Sequence, residues 1–178
     1  MVNPMAVPRN EPKRQATPAE FKAMAHPLRL RILRLCLHEA LTNKELADRL
    51  GKDPATVLHH VRLLVRTGFL VAEAARTGAR GALEKPYRAT GKSWVLSANS
   101  PEEEKLEQAA VLDALKAELL ETPPGDVLEG ARLGVQLSPA KVKRYTARIA
   151  RLIKDLADEP DAPGGERLGF YVTLHRRP

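Results

Sequence analysis

The chain has 178 residues, a formal net charge of +7, 43% hydrophobic and 29% charged residues, and a single cysteine. That length suits one domain or two small ones, and it is enough to bury a core. No apolar run approaches the roughly 20 residues needed to cross a bilayer, and one cysteine, Cys36, rules out an internal disulfide.

The charge is uneven. Residues 1–100 hold 17 Lys and Arg against 8 Asp and Glu, whereas residues 101–178 hold 12 against 14. A basic surplus confined to the first part points to a polyanionic partner for that part alone. With only 3 Phe, 3 Tyr and 1 Trp, there is little to stack on single-stranded bases. The opening stretch MVNPMAVPRNEPKRQ shows no secretion signal, so a cytoplasmic location is expected. Residues 1–16, rich in proline and charge, are expected to be a disordered tail.

In chain order, Thr17, Pro18 and Glu20 carry the signature of a capped helix start. His26-Pro27 interrupts that helix and opens the next, LRLRILRLCLHEA. Arg29, Arg31 and Arg34 are expected on its exposed side, and Cys36, set among leucines, as a buried structural thiol.

LTNKELADRLGKDPATVLHHVRLLVRTG follows, residues 41–68. Thr42 and Glu45 form a capping box, and Leu41 and Leu46 a hydrophobic staple. Gly51 ends the helix through a left-handed backbone. Asp53 caps a second helix with Pro54 at its first position, and Val57, Val61 and Leu64 repeat at helical spacing up to Gly68. Two helices this short must cross and pack on a third. The second is then left with a free face of Ala55, Thr56, Leu58, His59, Arg62 and Arg66, with Lys52 just before it. Small, polar and basic groups on a protruding helix suit the major groove of DNA. An ordinary helical hairpin with a solvated basic face has the same pattern.

FLVAEAA and LEKPYRAT read as strands around the turn RTGARGA. Arg76, Arg80, Lys85 and Arg88 would then reach phosphates or the minor groove, or simply keep a surface hairpin soluble. GKSWVLSANSP is a connector, in which Trp94 and Val95 are expected to pack onto the domain. PEEEKLEQAAVLDALKAELLE is a helix with acidic residues in its first turn, favourable to its dipole. Its stripe of Leu106, Ala109, Leu112, Leu115 and Leu119 needs a partner, and the same helix of a second chain is the favoured one.

After the break TPPGDVLEGA, RLGVQL reads as a strand. A helix from Ser138-Pro139 follows, with Val142, Tyr145, Ile149, Leu152 and Leu156 on one face, and then RLGFYVTLH as a strand. The apolar residues of the two strands (Leu133, Val135, Leu137, Leu168, Phe170, Val172) are expected as core, with an effector pocket as the alternative. The fold class is therefore α+β. It comprises a winged helix-turn-helix domain over 17–97 and a C-terminal dimerisation or accessory domain over 98–178, made of a long helix and a small strand-helix-strand unit.

AHPLRLRILRLC, the helix pair and KPYRAT, in that order, resemble the winged helix-turn-helix regulators of the bacterial ArsR-like superfamily over roughly residues 17–95. The second half is more loosely similar to the accessory region of actinobacterial members. The resemblance implies a homodimeric, sequence-specific regulator that binds double-stranded DNA, often as a repressor. It places the recognition helix at Pro54–Arg66 and the wing tip at Arg76–Lys85. The metal-sensing members use cysteine pairs or clustered histidines and carboxylates, which this chain lacks. His59 and His60, neighbours on a helix, point about 100° apart and hold one metal poorly, so neither a metal nor a cofactor is expected. His60 resembles that position's packing histidine, and His59 a DNA-contacting residue. No nucleophile elbow, phosphate loop or HExxH pattern is present, so no enzymatic activity is expected. The alternative function is an effector-sensing or protein-interaction module in the C-terminal region, with vestigial DNA binding.

Overall fold

The computed structural model describes residues 12–78, 81–160, 162 and 164–176. The chain divides into two units, one ending at Val127 and the other beginning at Leu128. The boundary expected after residue 97 therefore lies some thirty residues later, and the long helix belongs to the first unit.

In chain order the first unit contains β1 (Arg14–Gln15), α1 (Pro18–Met24), α2 (Pro27–Leu35), β2 (Leu41–Thr42), α3 (Asn43–Leu50), α4 (Pro54–Arg66), β3 (Leu70–Ala72), β4 (Arg76–Thr77), β5 (Leu83–Glu84), β6 (Pro86–Ala89), β7 (Leu96–Ser97) and α5 (Pro101–Glu121). The local signals act where the sequence puts them. Thr17 and Glu20 close one capping box and Thr42 and Glu45 another. Gly51 sits at φ 59°, in the left-handed region, and Asp53 Oδ1 accepts from the amides of Ala55 and Thr56. His26 serves as a cap as well as an interruption, since its Nδ1 accepts from the Leu28 amide.

The core lies where α2, α3 and α4 meet the sheet. Ile32, Cys36, Leu41, Leu46, Val57, Val61, Leu64, Phe69 and Leu70 are its most deeply buried side chains. The sheet has the order β2-β6-β3, antiparallel throughout, with Leu41 opposite Tyr87 and Leu70 opposite Ala89. β4 and β5 form a separate antiparallel ribbon with Arg76 opposite Glu84. This is a winged helix-turn-helix, and the mixed fold agrees with the expectation. Arg80, expected at the wing tip, lies outside the described residues, as do residues 1–11 of the expected tail.

Residues 14–16, expected within the disordered tail, are engaged in the fold. Arg14–Gln15 pairs in parallel with β7, and Asn99 Nδ2 donates to the Ala16 carbonyl at 2.8 Å. α5 packs on α2 through the small buried residues Ala110 and Ala114, with Arg34 paired to Glu118 at 3.0 Å and Arg31 to Glu121. The expected exposure of the α2 arginines holds for Arg34 and fails for Arg29 and Arg31. Arg29 is buried, Arg31 is largely covered and Arg34 is bridged. A local Leu-Arg alternation carries no information about which carboxylates and carbonyls arrive from elsewhere. Trp94 also differs from expectation, standing 49% exposed while Leu96 is buried.

The second unit contains α6 (Pro139–Asp158), capped by Ser138. Among its described residues there is no strand, so the expected strands at 132–137 and 167–175 are corrected. The residues expected as core are open, with Leu133 82%, Leu168 68% and Phe170 54% exposed. Alternating apolar residues specify a face but do not supply a neighbouring strand, and none is present within this unit.

The buried position of Leu46 makes the first unit sensitive to truncation there. Leu46→Ala is expected to lower the unfolding free energy by about 2–5 kcal/mol, measured by urea denaturation followed by circular dichroism.

Candidate nucleic-acid interface

The geometry of α4 follows from its inward residues. Val57, His60, Val61 and Leu64 are buried, which turns Ala55, Thr56, His59, Arg62 and Arg66 outward and leaves Leu58 half-buried. Lys52 is exposed in the turn before the helix. At the start of the helix, Asn43 Nδ2 donates to the Pro54 carbonyl at 2.9 Å, fixing α4 against the start of α3. Among the described residues, Lys52, Arg62 and Arg66 make no ion pair, so their charge is available to a ligand.

The far end of α4 is held by a lysine that the sequence gives no reason to single out. Lys92 Nζ donates to the Thr67 carbonyl at 2.6 Å, pairs with Glu20 at 2.7 Å and lies 5.3 Å from the centre of the Phe69 ring. Glu20 is buried and also receives Arg14 at 2.6 and 2.8 Å and the Thr17 amide at 2.8 Å. The Arg14 hydrogen bonds, reinforced by Lys92 and Thr17 against the cost of burial, hold its carboxyl well below the usual carboxylate range. The visible sign of this cluster was Glu20 at a capping position with Thr17; Lys92 arrives from a distant segment.

Behind α4 lies a second polar cluster. The Arg29 guanidinium donates to the Ala23 carbonyl at 2.6 Å and to the Lys22 carbonyl, so it satisfies acceptors that the end of α1 leaves open. Its Nη1 stands 3.3 Å from His60 Nδ1. A guanidinium can only donate, so that ring nitrogen is unprotonated. The His26 ring lies 4.6 Å away. Burial, with His26 and Arg29 adding repulsion, lowers the His60 pKa to about 4. His26 is shifted in the same direction, chiefly by burial. His59 is exposed while His60 is buried beside His26 and Arg29, and the two rings meet edge-on at 5.5 Å.

The wing residues divide into two groups. Lys85 is exposed. Arg76, expected to contact DNA, is held at 2.7 Å by Glu45 of the α3 capping box and at 3.6 Å by Glu84 of its own ribbon. The same Glu45 accepts from the Thr42 amide at 2.7 Å, so one carboxylate starts a helix and ties down the wing. Burial raises the Glu45 pKa, but the hydrogen bonds from Thr42 and Arg76 outweigh it and the net shift is downward. Arg88 pairs with Glu73 across β3 and β6. The stripe on α5 is also divided, with Leu106, Leu112 and Leu119 at 57, 49 and 49% exposure, Ala109 exposed and Leu115 half-buried. Leu120, not among the expected residues, is 78% exposed. Among the described residues no group of three His, Cys, Asp or Glu is placed to hold a metal ion, and no helix is long and apolar enough to cross a membrane.

A neutral His60 fixes the sign of an acid effect. Its folded pKa of about 4 lies below the ordinary value of 6.5, so its contribution is complete above 6.5 and lost as the pH falls through about 4. Urea midpoints are expected to fall between pH 7 and 4.5. His60→Gln, which has no proton to bind there, should show a shallower dependence over the same interval.

Residues 24–72 match the family described as a helix-turn-helix domain. No curated protein sequence matches the chain. Among solved structures, the adhesin competence repressor AdcR from Streptococcus pyogenes is similar at 17% identity and a TM-score of 0.33, over 74% of this chain and 79% of that one. MepR, a transcription regulator of the Staphylococcus aureus multidrug efflux pump MepA, is similar at 18% identity and a TM-score of 0.29, over 75% and 78%. The S. aureus MepR–DNA complex gives 15% identity and a TM-score of 0.30, over 76% and 82%. At these scores the likenesses are too distant to assign anything to this chain. The matched segment runs from the end of α1 to the end of β3 and contains α4, so the chain carries a helix-turn-helix domain.

Proposed function

We propose that this protein is a sequence-specific double-stranded DNA-binding transcriptional regulator, acting as a cytoplasmic homodimeric repressor. The observation that carries the reading is the outward face of α4. Ala55, Thr56 and His59 are small or polar, Arg62 and Arg66 are unpaired cations, and all five are exposed on a helix anchored at both ends. A rigid helix with that face places donors and a T-methyl contact surface against base edges. Lys52 and Lys85 contribute phosphate contacts beside it, and so does Arg80 on the sequence reading. The Glu45–Arg76 pair sets the base of the wing, and the half-exposed Arg76 guanidinium lies beside these phosphate contacts.

Dimerisation through α5 supplies the second half-site. Ala110 and Ala114 face α5's own unit, while Leu106, Ala109, Leu112 and Leu119 remain open for a second copy, with Leu115 at the margin. A two-fold dimer presents two recognition helices about one turn of DNA apart, roughly 34 Å.

The test is selection of genomic fragments by the purified chain, followed by titration of the retained duplex against random duplex. Affinity should fall steeply with salt through counterion release. His59→Ala or Arg62→Ala is expected to cost about 1–3 kcal/mol on the selected duplex and little on random DNA, whereas Lys85→Ala weakens both evenly. Equal loss on both duplexes from the α4 substitutions would overturn the assignment of the recognition helix. Absence of duplex binding at low salt would overturn the function.

A further inference from the structure

We infer that residues 128–178 of two copies fold against each other into one shared body, with 167–175 running antiparallel to its counterpart across the two-fold axis. This deepens the homodimer reading given above by naming a second region through which the copies engage.

The second unit has apolar groups but no interior. Among its described residues none is buried, and twelve large hydrophobic residues stand between 36 and 82% exposed. At about half exposure, twelve such residues offer on the order of 1,000 Å² of surface, comparable with the roughly 800 Å² per partner of a stable interface. α6 gathers much of this surface on one side. Val142, Tyr145, Ile149, Leu152 and Leu156 share a face by helical spacing, with Lys141 and Arg148 at its edge and Arg144 and Arg151 turned from it. Arg144 and Arg148 flank the Tyr145 ring at 5.1 and 5.6 Å.

The extended segments are what select a second copy as the occupant. Among the described residues, no backbone hydrogen bond joins 132–137 or 168–175 to another segment. Their amides and carbonyls need a partner strand, and their side chains need an apolar cover. A lipid surface would cover the side chains and leave the backbone unpaired. A second copy satisfies both at once. The stretch LGFYVTL is symmetric about Tyr171, with apolar residues one and three positions to either side. Antiparallel pairing centred on Tyr171 sets Leu168 opposite Leu174 and Phe170 opposite Val172, all four on one face of the ribbon. An isologous contact requires this kind of self-complementary pattern. α6 of each copy then closes over the apolar face, its cationic side turned to solvent.

The test uses the full chain. Tyr171→Cys places a thiol opposite its own counterpart, whereas Thr173→Cys places it several residues away from its counterpart along the ribbon. Under mild oxidation Tyr171→Cys should form a covalent dimer, while Thr173→Cys and the wild type, whose Cys36 is buried, should not. Phe170→Asp combined with Leu174→Asp should raise the concentration at which two chains separate into one, read by analytical ultracentrifugation, while circular dichroism still reports the helices of the first unit. A monomeric wild type, cross-linking at both cysteine positions or at neither, or a double variant that separates no more readily than the wild type would each overturn the inference. So would a monomer that binds vesicles of phosphatidylserine and phosphatidylcholine through this unit. Duplex binding is measured separately. Its loss with the Tyr171 cross-link intact would refute the DNA reading and leave this one standing.

Discussion

A thirteen-residue helix has too little intrinsic stability to persist alone in water, so the persistence of α4 depends on the burial of Val57, Val61 and Leu64 against α2, α3 and the sheet. Full burial of each such side chain is worth about 1.5–3 kcal/mol. This inward commitment also frees the outward residues. No core position has to be filled from Ala55, Thr56, His59 or Arg62, so their chemistry can be given over to a ligand. The polar anchors refine the pose. Asn43 holds the first turn and Lys92 the last, and His60 locks the inner face to Arg29. The helix is constrained along its whole length before any partner arrives, which keeps the entropy cost of recognition low.

The basic surplus of the first hundred residues is spent in two ways. Arg14, Arg29, Arg31, Arg34, Arg49, Arg76 and Lys92 are engaged within the fold, by carboxylates or by carbonyl oxygens. Only what remains, concentrated on α4 and around the wing, can act on a polyanion. Net charge therefore points to the same class of partner as the α4 face while overstating how much charge is free to meet it.

Much of the first unit was legible because its signals are local. A capping box spans four residues, a left-handed glycine is its own evidence, and the Val57, Val61, Leu64 spacing identifies the buried face directly. The outward face of α4 could be read by subtraction from that spacing. Other features depend on distant partners. Arg29 looked solvent-facing because the carbonyls that it satisfies, on Lys22 and Ala23, open only once α1 has ended. For Arg76, nothing in RTGARGA shows that Glu45, thirty-one residues earlier, would reach it. In the second unit, the alternation in RLGFYVTLH suggested a strand beside RLGVQL, but alternation specifies a face and not a neighbour, and among the described residues the two segments do not pair.

The short parallel pairing of β1 with β7 has a mechanical meaning. It fastens residues 14 and 15 to the segment that leads into α5, and the Asn99 side chain adds a stitch to Ala16. Glu20, one turn further on, reaches Lys92 and through it the last turn of α4. The outer stripe of α5 and the tail of α4 are thereby linked through a few residues between Arg14 and Glu20. A force applied to that stripe has a short, stiff route to the end of α4, and the arm before Thr17 serves as a tie rod in that route.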